Sequence, residues 1–252
     1  MEPYFWLIWL ALSGFVFVIY AWSLRVLFQQ KKAWKVFAEK NKMQYDGGRL
    51  TSPPSMTGMF SGYRVFMYTD TEQTFDMRGQ RYVCVIEIEL GMGMFVSTAI
   101  ATKEMTSFVL SLTTLSQEFK PQSSNWDDSY IIRTRNASIM KRYLTEDRLK
   151  ALHSLFGMKS SSAIFFFDDV EAVFRVQTTD PLRDPEKIKR ILTRIVSQIE
   201  ILKPTKQEVR KITDDVKKVE ELEHPKGAED ESAEKSEETE SDTDQDKEAG
   251  EA

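Results

Sequence analysis

The stretch PYFWLIWLALSGFVFVIYAWSL, residues 3–24, decides the architecture, and it holds no charged side chain. As a helix rising 1.5 Å per residue it measures about 33 Å, enough to cross a hydrocarbon core of about 30 Å. Tyr4, Phe5, Trp6 and Trp9 stand at one end, Tyr20 and Trp22 at the other. Aromatic belts at two membrane interfaces have this distribution. A cleaved signal peptide needs a basic n-region and a shorter apolar run. Met1-Glu2-Pro3 carries no basic side chain, and the run is too long. The expectation is a transmembrane anchor over residues 1–28. Gly14 has Leu10 and Val18 four positions away, so no small-xxx-small pair marks a dimer face. No ionisable residue lies at depth to carry an ion path.

Outward from the span, the charge is segregated. Residues 25–42 carry Arg25, Lys31, Lys32, Lys35, Lys40 and Lys42 against Glu39, a net of +5. Basic residues on this flank predict a single-pass protein with its N-terminus outside and its C-terminal domain cytoplasmic. Arg25, Lys31, Lys32 and Lys35 are the candidate membrane-surface contacts, each drawn to anionic lipid by about 1 kcal/mol when close to it. Membrane lipids are accordingly the expected partner of residues 4–35. Trp34, Phe37 and Ala38 fall at helical spacing, which predicts a basic juxtamembrane helix over residues 29–45. Its apolar face either packs on the soluble domain or lies on the membrane.

Residues 43–223 hold 25 basic and 25 acidic side chains, a balance that gives no basic footprint for nucleic acid. Within them, residues 46–204 read as an α+β domain with an antiparallel sheet. Residues 56–60 and 63–68 flank Ser61-Gly62 as a β-hairpin, and residues 69–80 read as a loop. Residues 81–90 alternate, with Cys84, Ile86, Ile88 and Leu90 expected to face the core. A strand is expected to resume over 94–101, a short helix near Phe108, and a strand over 129–134. Two helices follow over 137–143 and 145–156. Thr145 reads as an N-cap and Gly157 as a stop. Residues 163–167 and 172–176 form a second hairpin around Asp168-Asp169. A helix opens at Asp184 and Pro185 and ends before Pro204. Residues 205–223 predict a charged, poorly buried helix. Residues 224–252, with 12 acidic and 3 basic side chains and no aromatic or branched aliphatic residue, predict a disordered acidic tail.

Several segments together carry a resemblance. They are Phe37-Ala38-Glu39-Lys40-Asn41-Lys42-Met43, Pro53-Pro54-Ser55-Met56-Thr57-Gly58, Ser129-Tyr130-Ile131-Ile132-Arg133 and Tyr143-Leu144-Thr145. Their order over residues 30–202 is similar to bacterial membrane-anchored proteins of uncharacterised function, in which one or two N-terminal spans precede an α+β domain. Trp126-Asp127-Asp128 departs from that pattern, where a Phe-Asp pair is more usual. The resemblance implies this fold and a bacterial inner-membrane location, and carries no activity.

Sites of chemistry are sparse. Cys84 is the one cysteine, which rules out an intrachain disulfide, and its apolar neighbours mark it as a buried hydrophobe. His153 has Leu149 and Leu152 as helix neighbours, which mark it as a satisfied or half-exposed structural histidine. Pairing of Cys84 with His153 as thiol and imidazole has no support in the spacing. Gly91-Met92-Gly93 lacks the third glycine of a dinucleotide fingerprint, since position 96 is Val. Asp127-Asp128 and Asp168-Asp169 are turn residues before they are cation ligands, and Asn136-Ala137-Ser138 is a sequon without use in a cytoplasmic domain. No catalytic residue, metal or cofactor is expected. The functional expectation is a non-enzymatic, membrane-anchored interaction or scaffolding module with a protein partner. The alternatives are an enzyme with a polar cleft and a domain sensing the lipid surface through residues 25–42.

Overall fold

A computed structural model describes residues 4–73, 80–112, 114–123, 126–205, 207–212 and 214. The chain divides into two units, residues 1–209 and 210–252. In the second, the described residues 210–212 and 214 are helical; most of the expected helix over 205–223, and the acidic tail, lie outside the described residues.

The first unit is α+β. Helix α1 (Phe5–Lys40) runs for 36 residues without a break, so the apolar stretch and the basic segment form one rod about 54 Å long. Its N-terminal part is long and apolar enough to cross a membrane, and none of that part is buried by the rest of the protein. Its C-terminal part is built into the core: Ala33, Trp34, Phe37 and Ala38 are each at most 4% exposed. Of the two places open to this face, the structure shows it packed on the domain. The helix closes at Asn41 through backbone bonds from Lys42 N to Glu39 O and Met43 N to Ala38 O, with Lys42 left-handed at φ 55°. That is a Schellman closure made without glycine. The turn carries Met43 onto Gly58, where a Cβ would come within 2.8 Å of the Met43 side chain.

Among the described residues nine strands follow: β1 (Gln44–Asp46), β2 (Ser55–Phe60), β3 (Tyr63–Gln73), β4 (Gln80–Glu89), β5 (Thr98–Ala101), β6 (Gln117–Glu118), β7 (Ile131–Thr134), β8 (Ser161–Phe167) and β9 (Ala172–Thr178). They form one antiparallel sheet in the order β1-β2-β3-β4-β9-β8-β5-β7-β6. Ser61 (φ 49°) and Gly62 (φ 87°) turn the first hairpin, as two residues in the left-handed region do in a tight hairpin turn. The strands β3 and β4 reach further than expected. Residues 69–73, read as loop, pair with 80–84, and Arg81 joins Glu72 at 2.8 Å across the ladder. The strand expected over 94–101 is confined to β5; before it Met94 N donates to Asp168 O and Gly93 lies so close to the Asp169 carbonyl that a Cβ would overlap it.

Register places Met67, Ile86, Val176, Ala163 and, one pleat on, Val65, Ile88, Phe174, Phe165 and Ile100 on one face of the sheet. The C-terminal half of α1, α3 (Ala137–Tyr143), α4 (Glu146–Phe156) and α5 (Pro185–Leu202) cover it. Cys84, Ile86, Ile88 and Leu90 are buried as expected, and Val83 and Val85 are buried too. On the second face, α2 (Thr106–Ser111) and the 3-10 turn Lys103–Met105 bury Ala99, Ala101 and Ile164 against Met105, Val109 and Leu115. Beyond that cluster this face is mixed: Val83 and Val85 are buried on it, and Arg175 holds Glu87 at 3.2 Å and Asp70 at 3.5 Å.

The helix caps follow local chemistry. Asn136 accepts from Ser138 N and Ile139 N, Thr145 from Arg148 N, and Asp184 from Glu186 N with Pro185 behind it. Gly157 does stop α4, at φ −76° and without a left-handed turn.

Candidate functional site

The junction of α1 with the sheet gathers what the sequence offered. Leu24 ends the uncharged stretch, and Gln30 is the first fully packed residue, 5% exposed. Six helical steps separate them, about 9 Å. The amide of Gln30 donates to Thr69 Oγ1 and to Cys84 Sγ, both at 3.3 Å. Arg183 donates to Gln29 at 3.1 Å, and Lys40 pairs with Glu186 at 3.1 Å, tying α1 to the start of α5. Tyr45 donates its hydroxyl to the Lys31 carbonyl at 3.2 Å.

The four candidate membrane contacts divide. Arg25, Lys32 and Lys35 are exposed on the side of α1 turned away from the sheet. Lys31 is half-buried, its ammonium donating to the carbonyls of Arg49 at 2.5 Å and Leu50 at 3.3 Å. Lys35 lies 3.9 Å from Glu39 and about 16 Å along the axis beyond Leu24, more than a Debye length of about 8–10 Å. Arg25, Lys31, Lys32 and Arg183 enter no ion pair among the described residues.

Between α1 and the sheet at this level opens a cleft of about 460 Å³. Tyr20, Trp22, Ser23, Leu24, Val26 and Leu27 form its helix wall; Thr69, Tyr82, Cys84 and the loop residues Thr51, Pro53, Thr179 and Pro181 form the other. Sequence reasoning missed it because its walls lie far apart in the chain and none of their side chains is charged.

The remaining candidates resolve into structure. Burial pushes the Cys84 thiol up to about 12, so it holds its proton at neutral pH and is no nucleophile. His153 is exposed, with its ring 6.2 Å from that of Tyr130, while Cys84 is buried under α1; the two do not meet. Asp127 accepts from Ser129 N, and that bond holds its carboxyl below the usual range. Asp168 accepts from Val170 N and Glu171 N, closing the hairpin between β8 and β9. Among the described residues no three His, Cys, Asp or Glu side chains converge as a metal site.

No protein-family model matches the chain, and no curated protein matches it. Among solved structures it is similar to the mycobacterial trehalose monomycolate transport factor A, TtfA, at 13% identity and a TM-score of 0.43, over 69% of this chain and 93% of that one.

Proposed function

We propose that the chain is a single-pass, membrane-anchored interaction module, non-enzymatic, whose domain docks a protein partner at the membrane surface. The observation that supports it is the continuity of α1. A span joined to its domain by a flexible linker lets the domain roam; here one helix enters the core at Trp34 and Phe37 and holds the sheet about 9 Å from the end of the apolar stretch. The same continuity favours an anchor over a cleaved leader, since cleavage beyond the apolar stretch would cut the helix just before it enters the core. Arg25, Lys31 and Lys32 stand within reach of anionic headgroups, whereas an upright helix carries Lys35 beyond them. Tyr63, Tyr68, Tyr143 and Cys84 are raised chiefly by burial; Tyr63 donates to Glu200 and Tyr68 to Glu87, and Cys84 at the floor of the cleft is bonded by Gln30.

Two measurements test the proposal. A reporter fused after residue 222 is expected to be active in its cytoplasmic form and silent in its exported form; the reverse pattern sinks the orientation. Mild-detergent co-purification of the full chain is expected to retain a defined protein set. A control in which residues 1–28 carry an unrelated soluble domain should lose that set. The control stops at 28 because a helix ending at 42 would expose Trp34 and Phe37 and bind without specificity. Identical sets from the two proteins count against docking by the domain.

A further inference from the structure

We propose that the cleft between α1 and the β3–β4 hairpin takes an acyl chain of an anionic phospholipid from the bilayer that α1 crosses. This goes beyond the docking of a protein partner and rests on α1 being a span.

Continuity with the hydrocarbon is the first argument. The helix wall from Tyr20 to Leu24 belongs to the uncharged stretch, so the cleft is open sideways to lipid and needs no aqueous entry path. Its volume of about 460 Å³ falls within the range of about 300–1,000 Å³ that holds small apolar ligands. The lining carries no charged side chain. Its polar floor is already satisfied, because Gln30 bonds both Thr69 and Cys84, so an alkyl chain leaves no donor stranded there. An extended peptide entering from the same side would carry unpaired backbone groups through hydrocarbon. A lipid tail carries none.

Level with the cleft but beyond the uncharged stretch, Val26, Leu27, Pro53 and Pro181 present apolar surface that water wets unless something covers it. A chain drawn up from the leaflet covers it. That exchange is what favours the cleft over bulk lipid, since a tail gains nothing by leaving one apolar medium for another.

Charge complementarity selects the headgroup. Lys31 reaches the loop that carries Thr51 and Pro53, and Arg183 stands two residues from Pro181. Of the nearby acids, Asp180 pairs with Lys187 and lies within electrostatic reach of Arg183 and Cys84, and Glu72 pairs with Arg81. Lys31 and Arg183 form no ion pair among the described residues, so the mouth keeps a cationic side that a phosphodiester headgroup fits.

The test uses the full chain in phosphatidylcholine vesicles doped with a phosphatidylglycerol whose acyl chain carries a photoreactive diazirine. Irradiation, digestion and mass spectrometry are expected to label the peptides holding Thr69 and Tyr82–Cys84 as well as α1. Thr179→Trp, at an exposed position, fills the cleft from the sheet side; Ser23→Trp fills it from the helix side and cannot unfold the sheet. Either should cut labelling of the sheet peptides at least fivefold and leave labelling of residues 5–19 unchanged. Three results overturn the proposal: labelling confined to α1, labelling indifferent to both variants, or equal labelling by a phosphatidylcholine analogue. Alkaline carbonate extraction of the same vesicles separates the causes. Release of the protein overturns the span and the cleft together, whereas retention with labelling confined to α1 overturns the cleft alone.

Discussion

Replacing Trp34 by alanine is expected to destabilise the domain by about 3–5 kcal/mol, the range for deleting a fully buried large aromatic. Trp34 is 0% exposed and heads the largest fully buried side chains. It sits one turn from Phe37, whose ring meets that of Phe60 at 6.0 Å. Alanine leaves a cavity where α1, α5 and the sheet converge. The indole N–H finds no acceptor among the described residues, so the side chain acts here as apolar volume. Trp34→Phe removes that stranded donor along with part of the volume and should cost no more than about 1.5 kcal/mol. Urea unfolding of the full chain in detergent, followed by near-ultraviolet circular dichroism, measures both. Helix content from residues 5–24 should persist after the W34A domain has melted. Equal midpoints for W34A and wild type would show that the C-terminal half of α1 is not part of the core.

The same residue shows what a sequence of this kind reveals. The apolar spacing of Trp34, Phe37 and Ala38 is legible as a face, but what covers a face is set by the far-off β2 and α5, so packing on the domain and lying on the membrane read alike. Helix starts at Thr145 and Asp184 are legible because a cap is chemistry within three residues. The end of α1 is not, because Lys42 takes the left-handed turn where glycine is the readable sign. The strand residues Asp70, Thr71 and Glu72 carry no apolar alternation; they are strand because residues 81–83 pair with them. The order that sets β9 beside β4 comes from register across some 90 residues of chain and leaves no local mark. The cations of the candidate site are readable one by one, whereas the cleft beside them exists through tertiary contact alone.

A buried cation supplies the second large effect. Arg148 is 6% exposed, yet its Nη1 donates to the Tyr143 carbonyl at 2.9 Å, its Nε to the Ile201 carbonyl at 3.3 Å and its Nη2 to Glu208 at 3.0 Å. Its guanidinium also stacks 4.5 Å from the centre of the Tyr143 ring. Tyr143 in turn donates to the Leu202 carbonyl at 2.6 Å. The carbonyls at the ends of α3 and α5 have no helical partner of their own, and Arg148 satisfies one at each end. Arg148→Ala strands the Ile201 carbonyl, while the Tyr143 carbonyl keeps its bond from Thr145 N, and is expected to cost about 2 kcal/mol, from the penalty of unmaking bonds to a charged group. Arg148→Lys should recover less than half of that, since one ammonium cannot reproduce a planar fork that serves three acceptors. The pair also carries a pH signature. Bonding by Thr205 N–H, and after it by Arg148, holds the Glu208 carboxyl below its ordinary value of 4.5. A depressed carboxyl contributes stability that is fully present above 4.5 and fades as pH falls through the folded-state value. Wild type should therefore lose stability more steeply than Arg148→Ala as the pH is lowered from 5. Parallel urea midpoints for the two proteins between pH 7 and pH 3 would show that Glu208 does not draw on Arg148, and that the clamp works through the helix-end carbonyls alone.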